Sequence, residues 1–155
     1  MTTHLHAFLA GEGQDARGRS VHDVLGMLDE ELEVHHDWAQ WLLPLPTPSA
    51  AVPGSPVLTT SDIAAIRADP RAVETLERAS ERLFRFHAST DHWLSRYDHN
   101  HLRISRIIQS LRLLVGPEAA RRFYDAVLEQ REAAGAPVNP QSLRYWREAL
   151  GEVHR

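Results

Sequence analysis

The sequence contains no cysteine and no lysine. Without Cys, disulfides, thiolate metal ligands and a Cys nucleophile are excluded. Without Lys, all 17 basic side chains are Arg, planar forks suited to carboxylate or phosphate rather than mobile point charges. Long apolar runs are also missing: no stretch approaches the roughly 18 residues a membrane helix needs. The start, MTTHLHAFLAGEG, has neither the basic lead nor the apolar core of a signal peptide. These absences predict a cytoplasmic chain with no transmembrane segment. There is no excess of positive charge either. A formal net charge of −4 opposes general nucleic-acid binding, which draws its affinity from phosphate neutralisation, so no nucleic-acid partner is expected. Arg103, Arg106, Arg112, Arg121 and Arg122 are the local counter-signal.

Catalytic signatures are absent as well. There is no GxSxG elbow, phosphate loop, dinucleotide fingerprint, HExxH or paired ExxH helices. GEGQDARG is a glycine-containing turn with no strand before it. No catalytic residue, metal ligand or cofactor is therefore assigned, and whether the chain is an enzyme stays open.

What is present is an ordinary globular composition, 43% hydrophobic and 25% charged over 155 residues, long enough to bury about 70% of the unfolded surface. We expect one domain spanning residues 1–155. A short helix is predicted at about Thr3 to Ala10, ended by glycines. Ser20 is placed to cap the next, carrying Val21, Val24, Leu25 and Leu28. DEELEVHHDWAQWLL reads as one helix with acids in its first turn, stopped by Pro44, Pro46 and Pro48. A Pro-rich surface loop, residues 46–58, is expected to cross the bundle. Beyond it, TTSDIAAIRAD reads as a short helix. Asp69-Pro70 starts a longer one with Val73, Leu76, Ala79, Ser80, Leu83 and Phe84 at helical spacing. STDHWLSRYD is ambiguous. NHLRISRIIQSLRLL ends at Gly116-Pro117, the next helix runs from Pro117 to a glycine, and Asn139-Pro140 opens the last, with Leu143, Trp146 and Leu150. Nothing reads as a strand. The fold class is all-α, a single-domain bundle of about six to eight helices.

Two of these helices carry unusual polar residues. At 100° per residue, Val34, Trp38, Trp41 and Leu45 share one face of the helix from Asp29, and Leu28, Leu32, Ala39 and Leu43 another. Glu33, His36, Asp37 and Gln40 fill the polar sector, while His35 falls inside the apolar arc, as a core histidine would. On the helix from Asn100, Ile104, Ile107, Ile108, Leu111 and Val115 form the apolar face. His99, Arg103, Arg106 and Ser110 lie opposite, within about 60° of one another, between aliphatic flanks. One reading pairs Arg103 and Arg106 with structural carboxylates such as Glu33 or Asp37. The other faces the two polar stripes across a groove, with Asp37 and Gln40 as acceptors, the arginines as paired donors and Trp38 or Trp41 as a wall. The candidate ligand-binding residues are His36, Asp37, Gln40, Trp41, His99, Arg103 and Arg106.

The same stretches carry a family resemblance. Phe8-Leu9 with Gly11, then DVLGMLDEELEVHHDWAQWLLPL, then HNHLRISRIIQSLRLL, with Tyr145 and Trp146 near the end, resemble the conserved domain of the opioid growth factor receptor family. The match covers roughly residues 5 to 150 in order. His36-Asp37, Gln40-Trp41-Leu42 and Pro44-Leu45 follow the family's first motif; His99-Asn100, Leu102-Arg103-Ile104, Arg106-Ile107 and Ser110-Leu111 follow its second. Trp38 stands for a usual Tyr, Leu43 for a Phe and His101 for an Asn. The resemblance implies a bacterial single-domain member. Animal relatives are described as receptors for an enkephalin peptide.

Two functions are thus expected. The first is a binding domain recognising a peptide or small polar, anionic ligand between the two motif helices. The alternative is a small enzyme or metal-binding protein using His35-His36, His87, Asp91-His92 or the Asp98–His101 run.

Overall fold

A computed structural model of the chain describes residues 3–91 and 93–151. Among the described residues the fold is entirely helical, with nine helices and no strand: α1 (His4–Leu9), α2 (Val21–Leu25), α3 (Asp29–Val34), α4 (Ala39–Leu42), α5 (Thr60–Arg67), α6 (Pro70–Ser89), α7 (Asn100–Leu114), α8 (Pro117–Ala134) and α9 (Pro140–Ala149). The all-α expectation holds. The chain forms two compact units, Met1–Ala79 and Ser80–Arg155, and the boundary falls inside α6.

The helix starts follow local chemistry. The hydroxyls of Ser20 and Thr59 accept from the backbone N–H groups of Asp23 and Asp62, whose carboxylates accept in return from the cap N–H groups. These reciprocal bonds satisfy donors that a helix start leaves orphaned. Glu31 likewise accepts from the Leu28 N–H at the start of α3, and Asn139 caps α9 through Ser142. Pro117 and Pro140 occupy first-turn positions, where a missing N–H costs nothing. Gly135 closes α8 in the left-handed conformation, φ +63°, which glycine adopts freely.

In the first unit, α1 packs against α4 and α5. Its core includes Phe8, Leu9, Val24, Leu32, Trp38, Leu42 and Ile66. In the second, α7 packs against α8 and α9, with Trp93, Ile104, Ile108, Leu111, Val127 and Trp146 buried. On α6 the deeply buried positions are Ala72, Leu76, Ala79, Leu83 and Phe86; the expected Val73 and Phe84 are half-buried.

One expectation is overturned. DEELEVHHDWAQWLL is not a single helix: α3 ends at Val34, His35 to Trp38 leave the helical path, and α4 is a separate turn. This break adds one short helix, and the nine among the described residues are roughly consistent with the expected six to eight. It also voids the face assignment made on one continuous helix. Val34 is 65% exposed and Leu28 66%, whereas Trp38 is buried, and His35 is half-buried on the link rather than inside a core arc. The cause lies in two side chains. The Trp38 indole N–H donates to the Leu32 carbonyl at 3.2 Å, taking one of the acceptors that the end of α3 leaves open. Asp37 is drawn aside into an ion pair. Trp93 makes the same six-residue reach back to the His87 carbonyl at 2.7 Å, near the end of α6.

Trp38→Phe keeps most of the ring but removes the donor. We expect the loss of this hydrogen bond to cost about 0.5–1.5 kcal/mol, read as a lower urea midpoint at unchanged m-value.

The Pro-rich segment lies outside the helices. Its ends are tied together where the Leu58 N–H donates to the Leu45 carbonyl at 2.9 Å, with Leu45 and Leu58 both buried. Inside it, Ser49 Oγ accepts from the Val52 N–H, Ser55 N–H donates to the Val52 carbonyl, and Gly54 turns the chain at φ +83°. Ends that meet and an interior bonded to itself describe an Ω-loop.

Candidate functional site

The site in the first unit begins in the turn after α1. The Asp15 carboxylate, itself buried, accepts from the backbone N–H groups of Arg17 and Arg19 at 2.9 and 3.0 Å, and from Arg19 Nε at 2.7 Å. Asp15 N–H donates to the Arg19 carbonyl at 2.8 Å, and Gly18, at φ +75°, donates to the Asp15 carbonyl. Aspartate bonding its own backbone in this way fixes a turn. The result is a rigid loop from which Arg17 and Arg19 both project.

Asp37 receives them. Its Oδ1 accepts from Arg19 Nη2 at 3.0 Å and its Oδ2 pairs with Arg17 Nε at 2.5 Å. Arg19 therefore bridges two carboxylates and is largely buried, whereas the Arg17 side chain is 67% exposed. Burial alone would push the Asp37 carboxyl up. The Arg19 hydrogen bond and the charges of Arg19 and Arg17 outweigh it and hold the group below its ordinary value.

Above this ion-pair network lies a pocket of about 180 Å³. Its lining includes Arg17, Arg19 and Asp37 together with Trp41, Val52 and Pro53. The Trp41 ring is backed edge-on by the buried Phe8, with centroids 5.6 Å apart. Its indole N–H has no hydrogen-bond partner among the described residues, unlike those of Trp38, Trp93 and Trp146, each bound to a backbone carbonyl. Ser55 completes the loop side of the wall. Its hydroxyl oxygen is buried with no partner among the described residues.

Of the residues expected from sequence, Asp37 and Trp41 thus meet in this pocket. His36 is exposed on the link beside Asp37. Gln40 is 95% buried, by its 5% residual exposure. Its amide nitrogen lies 3.4 Å from Ser49 Oγ, which pins the Ω-loop, and its carbonyl oxygen has no partner among the described residues. Sequence reasoning missed Arg17, Arg19 and the 52–55 wall. The available signal was the Asp15-to-Arg19 spacing closed by Gly18.

The other three expected residues belong to the second unit. His99 is exposed and its Nδ1 lies 3.4 Å from the Asp98 carboxylate. Arg103 is buried, with Nη1 donating to Asn100 Oδ1 at 3.3 Å. Burial lowers the Arg106 guanidinium to about 10, so it stays charged at neutral pH. Nearby His101 has both ring nitrogens engaged: Nε2 donates to the Trp93 carbonyl at 2.8 Å, leaving Nδ1 to accept from the Ser142 hydroxyl at 3.3 Å. Its nitrogens serve packing. His87 is buried among Phe86, Trp93 and Phe123. His92 lies outside the described residues.

No protein-family model matches the chain, and no match to it was found among curated proteins or solved structures.

The depressed Asp37 fixes a pH dependence. Its native carboxyl binds a proton less tightly than the unfolded one, whose value is about 3.9. The stabilisation is complete above that value and is lost as the pH falls through the lower native one. Asp62 and Asp69 act in the same direction. At Asp62 burial pushes up but hydrogen bonds from Thr59 and Thr3 prevail; at Asp69 the His6 hydrogen bond dominates. We expect the urea midpoint to fall steadily from about pH 5 towards pH 2. Asp37→Asn is expected to make that fall shallower.

Proposed function

We propose that this chain is a binding domain that recognises a peptide segment or small polar ligand, with the first-unit pocket as the point of contact. The observation that carries this reading is the meeting of Asp37 and Trp41 with the Arg17–Arg19 turn and the Ω-loop around one recess. Apolar walls with a few fixed polar groups are what ligand pockets provide. Rigid aromatic and arginine side chains are the usual anchors of protein recognition. At about 180 Å³ the recess lies below the roughly 300 Å³ at which pockets for whole drug-sized ligands begin. It suits one residue of a longer chain. The resemblance to the opioid growth factor receptor domain, whose animal members are described as peptide receptors, agrees with this reading. His36, exposed beside Asp37, is proposed as a supporting contact; His99, Arg103 and Arg106 belong to the second unit and are not assigned to this pocket.

A synthetic tetrapeptide library, half with free carboxyl and half with amide termini, tests the proposal when passed over immobilised chain and read by mass spectrometry. We expect a distinct subset to be retained by the natural chain and lost on Trp41→Ala. Equal retention by both, or none above the blank surface, would contradict it.

A further inference from the structure

The pocket is more selective than a generic recess because its charged groups are dominated by two arginines around one carboxylate. Both Asp37 oxygens already pair with arginines, whose two positive charges outweigh the one carboxylate. Arg17 and Trp41 offer donors, and the Ser55 hydroxyl can donate or accept. Of the Arg17 nitrogens only Nε is engaged, and the side chain is two-thirds exposed, which leaves its terminal Nη fork open among the described residues. The indole N–H of Trp41 is likewise uncommitted there, and both residues line the recess. A cationic ligand would meet the positive charges of Arg17 and Arg19. An anion meets a planar fork built for a carboxylate. Trp41, Val52 and Pro53 add apolar surface to the same lining.

Resting on the binding reading above, we propose that the pocket captures the C-terminal residue of a peptide: its α-carboxylate on the Arg17 fork and Trp41 N–H, its apolar side chain against Trp41, Val52 and Pro53. Terminal-carboxylate capture is a recurrent way to read a peptide end. The two arginine charges also select against a free amino acid, whose ammonium they repel. An acylated amide N–H carries no such charge.

The test uses N-acetyl-Ala-Ala-Leu as free acid and as C-terminal amide, titrated into ¹⁵N-labelled full-length chain, with the Trp41 indole cross-peak as readout. Trp41→Phe assigns that peak. The acid is expected to saturate the shift with about tenfold higher affinity than the amide. Arg17→Ala, at an exposed position, is expected to bring the acid down to the amide's level. Arg17→Lys, which keeps the charge but loses the fork, is expected to fall between them. Free leucine is expected to bind more weakly than the acetylated acid. Equal binding of acid and amide overturns terminal-carboxylate capture and leaves the pocket as a peptide site. Tight binding of free leucine reassigns the site to small acids and also overturns it. No shift with either peptide overturns both the capture and the binding reading.

Discussion

Phe8→Ala should lower the stability of the chain by about 3–5 kcal/mol and cost the pocket its shape as well. Phe8 has no exposed surface and stands edge-on to Trp41. Truncation loses the transfer free energy of the ring and leaves a cavity that the surrounding helices fill only in part. An edge-to-face pair adds about 0.5–1.5 kcal/mol beyond burial. Against a total stability of roughly 5–15 kcal/mol, that is a large fraction. The functional effect follows from geometry: Trp41 is half-buried, and without Phe8 behind it the ring no longer has a fixed wall position. Phe8→Leu, closer in volume, should retain most of the stability while still losing the edge-on contact. Denaturant midpoints for the two variants check the first part. Trp41 indole line widths check the second, broadening in the folded Phe8→Leu chain.

Trp146→Ala is expected to be as damaging to the second unit, at about 3–5 kcal/mol. Trp146 is fully buried on α9 and its indole N–H donates to the His101 carbonyl on α7 at 2.9 Å. Its ring meets the His101 ring edge-on at 5.9 Å and lies 6.5 Å from Trp93. His101 in turn holds the Trp93 carbonyl and Ser142, so one truncation loosens α9, α7 and the 93–98 turns together. Trp146→Phe separates the contributions. It keeps an aromatic filler and removes one hydrogen bond to the His101 carbonyl, a loss of about 0.5–1.5 kcal/mol. Thermal unfolding followed by near-ultraviolet circular dichroism reads both variants. A Trp146→Ala chain unfolding within about 2 °C of the natural one would contradict the packing role.

Much of this fold is legible in the sequence because its helix ends are written locally. Ser20 with Asp23, Thr59 with Asp62 and Asn139 with Ser142 each lie within one turn, and Pro117, Pro140 and Gly135 mark ends through their own backbone preferences. The break at His35–Trp38 is not written that way. HHDW contains no Gly or Pro, and its apolar spacing accommodates a continuous helix. The helix ends because Asp37 finds arginines some twenty residues away and Trp38 finds the Leu32 carbonyl. Tertiary partners of this kind override propensity.

The same division governs the site. Asp37 and Trp41 stand out by residue type, and both line the pocket. Arg17 and Arg19 sit among glycines and read as punctuation, although Asp15 organises them through three hydrogen bonds. Val52, Pro53 and Ser55 become a wall only after the Leu45–Leu58 bond closes the loop, a closure that residue type does not announce. On α7, Arg103 and Ser110 are buried along with the aliphatic face. His99 is exposed and Arg106 half-buried, and the second-unit contacts around Asn100 and His101 depend on partners that helical periodicity cannot specify.

The claim on which the functional reading stands is that the Asp15–Arg19 turn, Asp37, Trp41 and residues 52–55 form one recognition surface. The most direct measurement is the backbone amide shift map of the ¹⁵N-labelled chain on titration with N-acetyl-Ala-Ala-Leu. The account predicts saturable shifts concentrated at residues 16–19, 37–41 and 52–55, and their loss in the Asp37→Ala chain, where the two arginines lose their shared anchor. Shifts confined to other parts of the chain, or unchanged by Asp37→Ala, would contradict it.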